Sequence, residues 1–117
     1  MKVIIAGSRT FKLKQYPVLK RVCDSWLEDY DDITIVSGTA KGADKLGELY
    51  GKQNDYPIKK FPADWDAFGK SAGYRRNVEM AEYADMLIAF WDGKSKGTEH
   101  MINIAKERNL IVKIQGF

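Results

Sequence analysis

Three short loops rich in glycine, serine and threonine each follow an apolar run of the sequence, and such loops can bind phosphate. They span residues 7–10 (GSRT), 37–42 (SGTAKG) and 92–98 (DGKSKGT). Small residues let a ligand approach backbone N–H groups, and the last two loops lead into helical patterns, whose N-termini offer unpaired donors. Glycine, serine and threonine also serve as ordinary turn formers and caps. Three such loops at one edge of a sheet favour anion binding over capping alone.

The letters Gly93-Lys94-Ser95 look like the end of a P-loop, but the pattern fails upstream. That motif requires a glycine five positions before Gly93, where this chain has Ile88 inside an apolar run. The dinucleotide fingerprint G-x-G-x-x-G is also missing after the first apolar run. The sequence therefore argues against a P-loop nucleotide hydrolase and against an ordinary NAD dehydrogenase.

Apolar runs and amphipathic patterns alternate along the chain and must position these loops. Strands are predicted at residues 3–6, 33–36, 58–61, 86–91 and 110–114. An amphipathic helix is predicted between successive strands, with a longer loop at residues 62–71 before the third helix. The order predicts an α/β fold, a single Rossmann-like three-layer domain over residues 1–117 with a five-stranded, mostly parallel sheet of order 3-2-1-4-5. Open sheets of this kind place ligands between the first and fourth strands.

Composition is that of an ordinary soluble globular protein. Of the 117 residues 44% are hydrophobic and 30% are charged, with a net charge of +3. One cysteine and one histidine allow no internal disulfide and no zinc-ligand set. We expect no metal and no cofactor. We also expect no membrane partner, because the longest apolar run has six residues. A cytoplasmic location is the default expectation.

Four segments together resemble one protein family. They are residues 7–9 (GSR), 37–44 (SGTAKGAD), 76–80 (RNVEM) and 93–98 (GKSKGT). Their order and spacing are similar to those of the SLOG superfamily, in particular its small YspA-like (cpYpsA-related) branch. The resemblance covers almost the whole chain. It implies a Rossmann-like domain that binds nucleotides or nucleotide-derived signals at these loops.

Two other groups in this superfamily suggest different activities. Residues 76–80 resemble the Arg-Lys-x-x-Met segment of the Lonely Guy phosphoribohydrolases, which implies that Arg76 matches their catalytic arginine. Residues 94–101 are only partly similar to their second segment, and Met101 stands where the family has its catalytic glutamate. Methionine cannot transfer a proton or stabilise an oxocarbenium-like centre. The resemblance therefore favours binding over hydrolysis, with Arg76, Glu79 and Glu99 as the catalytic candidates if hydrolysis occurs.

A nucleic-acid role is suggested by a second resemblance. Residues 37–44 are similar to the Ser-Gly-x-Ala-x-Gly-Ile-Asp segment of the DNA-processing proteins (Smf/DprA), which bind single-stranded DNA, with Ala43 in place of isoleucine. Seven cations and five anions surround the predicted site: Arg9, Lys41, Lys70, Arg75, Arg76, Lys94 and Lys96 against Asp44, Asp64, Asp66, Asp92 and Glu99. This balance suits a ligand with one or two phosphates better than a long phosphate backbone.

The predicted ligand-binding residues come from the three loops and from two helices. They are Gly7, Ser8, Arg9, Ser37, Gly38, Thr39, Asp44, Arg76, Asn77, Asp92, Gly93, Lys94, Ser95, Gly97 and Thr98. Arg76 is placed in the first turn of its helix, where the dipole disfavours a cation, so we expect a ligand or a carboxylate beside it. An aromatic side chain from the long loop or just after it, Trp65, Phe68 or Tyr74, either stacks on a base or only covers the sheet edge.

The leading hypothesis is a protein that binds a nucleotide or nucleotide-derived ligand, such as an ADP-ribose-like or cyclic nucleotide signal, and acts as a sensor, carrier or sequestering protein. One alternative is a nucleoside 5'-monophosphate phosphoribohydrolase that cleaves the N-glycosidic bond. Another is single-stranded nucleic-acid binding. If the domain assembles, a symmetric homodimer is the simplest expectation.

Overall fold

The computed structural model describes residues 1–117 as one sheet with helices on both sides. The strands are β1 (Lys2–Gly7), β2 (Thr34–Ser37), β3 (Ile58–Lys60), β4 (Met86–Trp91) and β5 (Ile111–Gly116). The helices are α1 (Tyr16–Leu27), α2 (Ala43–Gln53), α3 (Trp65–Phe68), α4 (Ala72–Tyr83) and α5 (Lys96–Glu107). Two 3₁₀ turns, Leu13–Gln15 and Gly69–Ser71, precede α1 and α4.

The five strands form one wholly parallel sheet in the order β3-β2-β1-β4-β5. The predicted strand order is therefore confirmed. β1 pairs with β2 on one side, with Val3 opposite Ile35, and with β4 on the other, with Gly7 opposite Phe90. Because β1 and β4 are neighbours, the loops that follow them leave the same edge of the sheet side by side.

Alternate residues of β1 enter two separate hydrophobic cores, one on each face of the sheet. Val3 and Ile5 pack with α1 and α2, whereas Ile4 and Ala6 pack with α4 and α5. The sequence of a strand covered on both faces is a continuous apolar run, because the side chains on neither face meet water. The run at residues 3–6 thus reflects the three-layer architecture.

Two glycines in α2 are explained by how closely this helix approaches the sheet. A Cβ atom on Gly47 would lie 2.7 Å from Cβ of Ile5, and one on Gly51 would lie 3.0 Å from Cγ1 of Ile35. Glycine lowers helix propensity by about 1 kcal/mol relative to alanine. Packing against the sheet outweighs that loss here, so the helix runs without interruption from Ala43 to Gln53.

The bounds of β1, β2 and β3 differ by one residue from those predicted, and the larger differences from the sequence-based expectation lie in the segment before α4 and at the last strand. Residues 62–71 were expected to be a loop, yet they contain α3, because Oδ1 of Asp64 accepts a hydrogen bond from the N–H of Ala67 at 3.0 Å and caps this short helix. β5 begins one residue later than expected and continues to Gly116, which pairs with Trp91. None of the helices is long and apolar enough to cross a membrane.

Candidate ligand-binding site

A cavity of about 360 Å³ opens at the carboxyl edge of the sheet, beside the neighbouring ends of β1 and β4. Its lining includes nine of the predicted ligand-binding residues, which are Gly7, Ser8, Arg9, Asp44, Arg76, Asn77, Ser95, Gly97 and Thr98. The other lining residues are Ala6, Thr10, Ala40, Trp65, Lys70, Gly73, Tyr74, Met80 and Met101. A space of this size matches the lower range of small-molecule pockets.

The loop after β1 is fixed against β4 by a close backbone approach. A Cβ atom on Gly7 would lie 2.1 Å from the carbonyl oxygen of Phe90, so only glycine fits this position. The N–H of Ser8 donates to the same carbonyl oxygen at 2.9 Å. The buried Ser8 hydroxyl in turn accepts from the N–H of Asp92 at 3.2 Å and from the Ser95 hydroxyl at 3.0 Å. The loops after β1 and β4 are therefore held together as one surface.

Asp92 organises the loop after β4. Its Oδ1 atom accepts the N–H groups of Lys94 and Ser95, each at 2.9 Å, and the Ser95 hydroxyl lies 3.1 Å from both carboxylate oxygens. The two backbone N–H groups stabilise the ionised form and lower the pKa of Asp92 to about 2. Asp92, together with Gly93 and the exposed Lys94, lies outside the cavity lining. Its side chain shapes the turn that leads into α5.

The N-terminus of α5 faces the cavity with free backbone donors. No side chain caps this helix, because the hydroxyl of its N-cap residue Ser95 is directed at Ser8 and Asp92. The N–H groups of Lys96, Gly97 and Thr98 have no hydrogen-bond partner in the protein, as expected for a first helical turn. Gly97 and Thr98 line the cavity. Unpaired donors at the positive end of a helix form a favourable site for an anion.

Asp44 and Arg76 meet at Gly38 on the opposite wall. A Cβ atom on Gly38 would lie 2.7 Å from Oδ2 of Asp44 and 2.8 Å from Nη1 of Arg76. Burial raises the pKa of Asp44 to about 6, although the charge of Arg76 and backbone N–H groups act in the opposite direction. Asp44 is the sole carboxylate in the lining. The cavity therefore holds one acidic group, and that group is buried at the first turn of α2.

Arg76 is held by neutral partners and keeps donors free. Its Nη1 group donates to the carbonyl oxygen of Gly38, and its Nε group donates to Oδ1 of Asn77 at 3.0 Å. It forms no ion pair, and burial lowers the pKa of Arg76. Nη2 of Arg76 has no protein partner. The guanidinium is thus fixed in place with donor capacity left for a ligand.

Asn77 joins α4 to α5 below the cavity. Its Nδ2 group donates to the carbonyl oxygen of Gly97 at 3.2 Å and lies 3.2 Å from Nδ1 of His100. The His100 ring packs against the ring of Tyr74 at 4.5 Å between centroids. Burial lowers the pKa of His100. Asn77 therefore fixes the position of the α5 N-terminus relative to Arg76.

Ser37, Gly38 and Thr39 support the site from behind and do not line the cavity. The buried Ser37 hydroxyl donates to Oε2 of Glu48 at 2.7 Å and accepts from the N–H of Thr39 at 3.0 Å. Thr39 adopts a φ of +65°, a left-handed conformation that is unusual for a β-branched residue. Glu48, which sequence reasoning missed, is buried four positions after Asp44 on the same face of α2.

Only one of the three catalytic candidates lines the cavity. Arg76 lines the cavity, whereas Glu79 and Glu99 are exposed and lie outside its lining. Met101, which the partial resemblance matches to the phosphoribohydrolase glutamate, is buried and lines the cavity. The cavity thus has a thioether where hydrolysis by that pattern requires a carboxylate.

Several lining residues were missing from the predicted set. Gly73 and Met80 share one face of α4 with Arg76 and Asn77, and this helical spacing is the signal that could have identified them. Of the aromatic candidates, Trp65 and Tyr74 line the cavity and are 52% and 46% exposed, whereas Phe68 stacks on the guanidinium of Arg75 instead. A Cβ on Gly73 would meet Cη2 of Trp65 at 3.4 Å, so Gly73 leaves room for the indole.

Structural comparison finds the same fold in two DNA-processing proteins. DNA processing protein A (DprA) from Streptococcus pneumoniae matches with a TM-score of 0.77 and 20% sequence identity, over 97% of this chain and 49% of that protein. DNA processing protein A from Helicobacter pylori matches with a TM-score of 0.69 and 17% identity, over 97% of this chain and 64% of that protein. The chain therefore spans about half and about two thirds of their lengths.

Sequence comparison identifies the family of the chain. The chain is 32% identical to the Gene 61 protein of Mycobacterium phage D29, over 95% of this chain and 93% of that relative. The model of the YspA, cpYpsA-related SLOG family (YAcAr) matches residues 1–68, which include β1, β2 and the loops that follow both strands. The predicted resemblance is confirmed, and the chain belongs to the YspA, cpYpsA-related SLOG family.

Proposed function

We propose that the protein binds a nucleotide or nucleotide-derived ligand in the cavity at the carboxyl edge of the sheet and acts as a sensor, carrier or sequestering protein. The observation that carries this proposal is the uncapped N-terminus of α5, whose unpaired N–H groups face a cavity that also contains Arg9 and Arg76. Membership of the family and the fold shared with DNA-processing proteins support a nucleotide- or nucleic-acid-binding role.

The phosphate of the ligand lies between the α5 N-terminus and the loop after β1. The N–H groups of Gly97 and Thr98 donate to its oxygens from one side, and the guanidinium groups of Arg9 and Arg76 approach from the other. Charge-assisted hydrogen bonds of this kind are about twice as strong as neutral ones. The Ser8 hydroxyl, which already joins the two loops, is in the lining between them.

The base of the ligand packs on the aromatic side of the cavity. Trp65 and Tyr74 are half-exposed at the mouth, and Tyr74 is backed by the His100 ring. A base stacked on an aromatic side chain contributes about 1–3 kcal/mol in nucleic-acid complexes. The cavity lining thus contains both aromatic side chains and anion donors, which match the base and the phosphate of a nucleotide.

Binding without turnover is favoured by the side chains that would have to handle protons. The Met101 side chain has no proton to transfer, and the Asp44 carboxyl accepts a hydrogen bond from the backbone N–H of Ala40 at 3.2 Å. One property of Asp44 nevertheless favours hydrolysis of the N-glycosidic bond. A carboxyl in the cavity with a pKa of about 6 can act as a general acid. We rank that activity second.

One assay separates binding from hydrolysis. The protein is incubated with AMP, ADP-ribose, NAD and cyclic nucleotides, while melting temperature and released free base are recorded together. A ligand at 100 times its dissociation constant adds about 2.7 kcal/mol of stability. For a domain of this size that corresponds to a rise in melting temperature on the order of 10 °C. A rise without release supports the proposal, and catalytic release of base in excess of protein overturns it.

Single-stranded DNA binding is the remaining alternative. The structure of the Helicobacter pylori neighbour describes its single-stranded DNA binding mode. In this chain, the cavity-lining Lys70 and the nearby Lys94 and Lys96 form no ion pairs and are open to solvent. If these lysines track a DNA backbone, affinity for an oligonucleotide falls steeply with salt as counterions are released. A mononucleotide that binds with weak salt dependence, while oligonucleotides bind no better, excludes this alternative.

A further inference from the structure

A second concave surface, of about 170 Å³, lies next to the cavity and is lined by four cations. It is formed by the segment after β1, the end of the loop after β2 and the start of α2, and we name it the basic groove. The cations are Arg9, Lys12, Lys41 and Lys45, and no acidic residue lines the groove. A concave surface lined by one sign of charge attracts ions of the other sign.

The basic groove and the cavity lie on either side of one backbone contact. A Cβ on Gly42 would lie 2.4 Å from the carbonyl oxygen of Ser8 and 2.7 Å from Cα of Arg9, so the loops after β1 and β2 touch there. The Ser8 carbonyl also accepts from the N–H groups of Phe11 at 3.1 Å and Ala43 at 3.4 Å. Arg9 is part of this contact, and it lines both the cavity and the groove.

The charges of the groove are not neutralised within the protein. Arg9, Lys12 and Lys41 form no ion pair, and they are exposed. Lys45 is the exception, because its Nζ atom lies 3.7 Å from Oε1 of the buried Glu48. Three unpaired cations at one groove repel each other weakly in water, and an anion placed among them relieves that repulsion.

The groove also has an apolar component, which a site for a free inorganic anion does not require. The buried side chains of Phe11 and Leu46 line it, and Leu13 beside them is 69% exposed. Leu13 is the most exposed large hydrophobic residue of the chain. An apolar surface next to cations suits the sugar or base that accompanies a phosphate.

We infer that the basic groove is a second subsite for the same ligand, and that the ligand consists of two linked nucleotides. The first nucleotide, with its 5'-phosphate, occupies the cavity. The phosphodiester that links the two nucleotides crosses the Gly42 contact under Arg9 and lies against Lys12 and Lys41, and the second sugar or base lies on Leu13. The inference rests on the proposed function, because it extends the ligand from the site described above.

The test compares a mononucleotide with a dinucleotide on matched variants. The probes are AMP and 5'-phosphorylated diadenylate (pApA), with dissociation constants measured by calorimetry at low salt. The double variant Lys12→Ala/Lys41→Ala removes two groove cations. The control Lys52→Ala/Lys106→Ala removes two exposed lysines from the last turns of α2 and α5, at the other end of both helices, and has the same net charge.

We expect pApA to bind wild type and the control about tenfold or more tightly than AMP, a ratio that corresponds to about 1.4 kcal/mol. In Lys12→Ala/Lys41→Ala this ratio falls towards one. Equal affinity of both probes in wild type, or an unchanged ratio in the groove variant, overturns the inference and leaves the proposed function standing. Failure of pApA and of every nucleotide in the melting assay overturns the proposed function itself. A 12-nucleotide thymidine strand that binds another tenfold more tightly than pApA also overturns the inference, because the ligand is then an extended strand.

Discussion

The Ser95 hydroxyl donates a hydrogen bond to Oγ of Ser8 at 3.0 Å, which joins two loops 87 residues apart in the sequence. Ser8 also accepts the N–H of Asp92 at 3.2 Å. Through these contacts one buried hydroxyl sets the distance between the loop after β1 and the N-terminus of α5. The shape of the cavity therefore depends on a side chain that contributes little surface of its own.

Replacing this hydroxyl should destabilise the protein. In Ser8→Ala the part-buried N–H of Asp92 loses its partner, and a donor left unsatisfied costs up to about 1–3 kcal/mol. Urea denaturation should show a loss of that size in the free energy of unfolding. Ser25→Ala, at an exposed position of α1, is the control and should stay within about 0.5 kcal/mol of wild type. Equal effects of both substitutions would mean that the loop contact does not stabilise the fold.

Gly7→Ala should be more damaging than Gly97→Ala. The new Cβ at Gly7 would collide with the Phe90 carbonyl at 2.1 Å, and the backbone of β1 or β4 must shift to remove the overlap. Overpacking of this kind typically costs about 1–3 kcal/mol. A Cβ at Gly97 meets nothing within 4 Å, and alanine there should leave stability unchanged or slightly higher. Thermal unfolding of the two variants side by side checks the difference, and a Gly7→Ala variant as stable as Gly97→Ala contradicts it.

The raised pKa of Asp44 predicts a pH dependence of stability. Its folded-state pKa of about 6 lies above the ordinary value of 3.8, so between these values the folded state binds more protons than the unfolded state. Stability from this residue is present below pH 3.8 and is lost as the pH rises to about 6, by on the order of 3 kcal/mol. In Asp44→Asn this loss should disappear. Denaturation between pH 3.5 and roughly 7 tests it, with exposed Asp29→Asn as control; parallel curves for Asp44→Asn and wild type disprove it.

His100 is the single histidine of the chain, so its titration can be followed without ambiguity by NMR. Burial lowers its pKa below the ordinary value of 6.5, and Nδ1 faces the donor group of Asn77 at 3.2 Å. Asn77→Asp replaces that donor with a negatively charged acceptor. We expect the pKa of His100 to rise by about one unit or more, since a nearby opposite charge favours the protonated ring. Asn103→Asp, at an exposed position of α5, should change it less. A histidine that titrates identically in Asn77→Asp and wild type rules out the contact.

Arg76 and Arg75 provide a matched pair for ligand binding. Arg76 lines the cavity, whereas its neighbour Arg75 is exposed, donates to the Ser71 hydroxyl and stacks on Phe68. Loss of a hydrogen bond from a charged group weakens binding by about 1.5–3 kcal/mol, or roughly 10- to 150-fold. Arg76→Gln should therefore reduce the affinity for the nucleotide that raises the melting temperature, and Arg75→Gln should not. If Arg75→Gln has the larger effect, the ligand lies outside the cavity.

The positions of the strands were predictable from the sequence because of their apolar runs, and the strand order followed from the arrangement expected of a nucleotide-binding sheet of this size. Residues 3–6 and 86–91 are apolar throughout, as expected for strands covered on both faces, and the loops that follow them contain the small residues of the site. Helix α2 was less certain because of Gly47. Glycine is required there because the helix packs closely on Ile5, a residue 42 positions earlier. Local helix propensity carries no information about a contact between residues so far apart in the sequence.

The direction in which polar side chains point was not predictable. Asp44 and Asp92 both follow a strand and both begin or precede a helix, yet Asp44 enters the cavity while Asp92 turns back onto its own loop. The same residue type at the same kind of position supports either arrangement, because the loop backbone decides which donors lie within reach. Ser37 similarly bonds with the buried Glu48 instead of facing the ligand space.

Arg9 is shared by the cavity and the basic groove, and this sharing links what happens in one to what happens in the other. A guanidinium drawn towards an anion on one side of the Gly42 contact is withdrawn from the other side, unless a single molecule bridges both. Two separate small anions should therefore weaken each other's binding, and by the same factor in either order, because such coupling is reciprocal. A bridging molecule avoids this antagonism altogether.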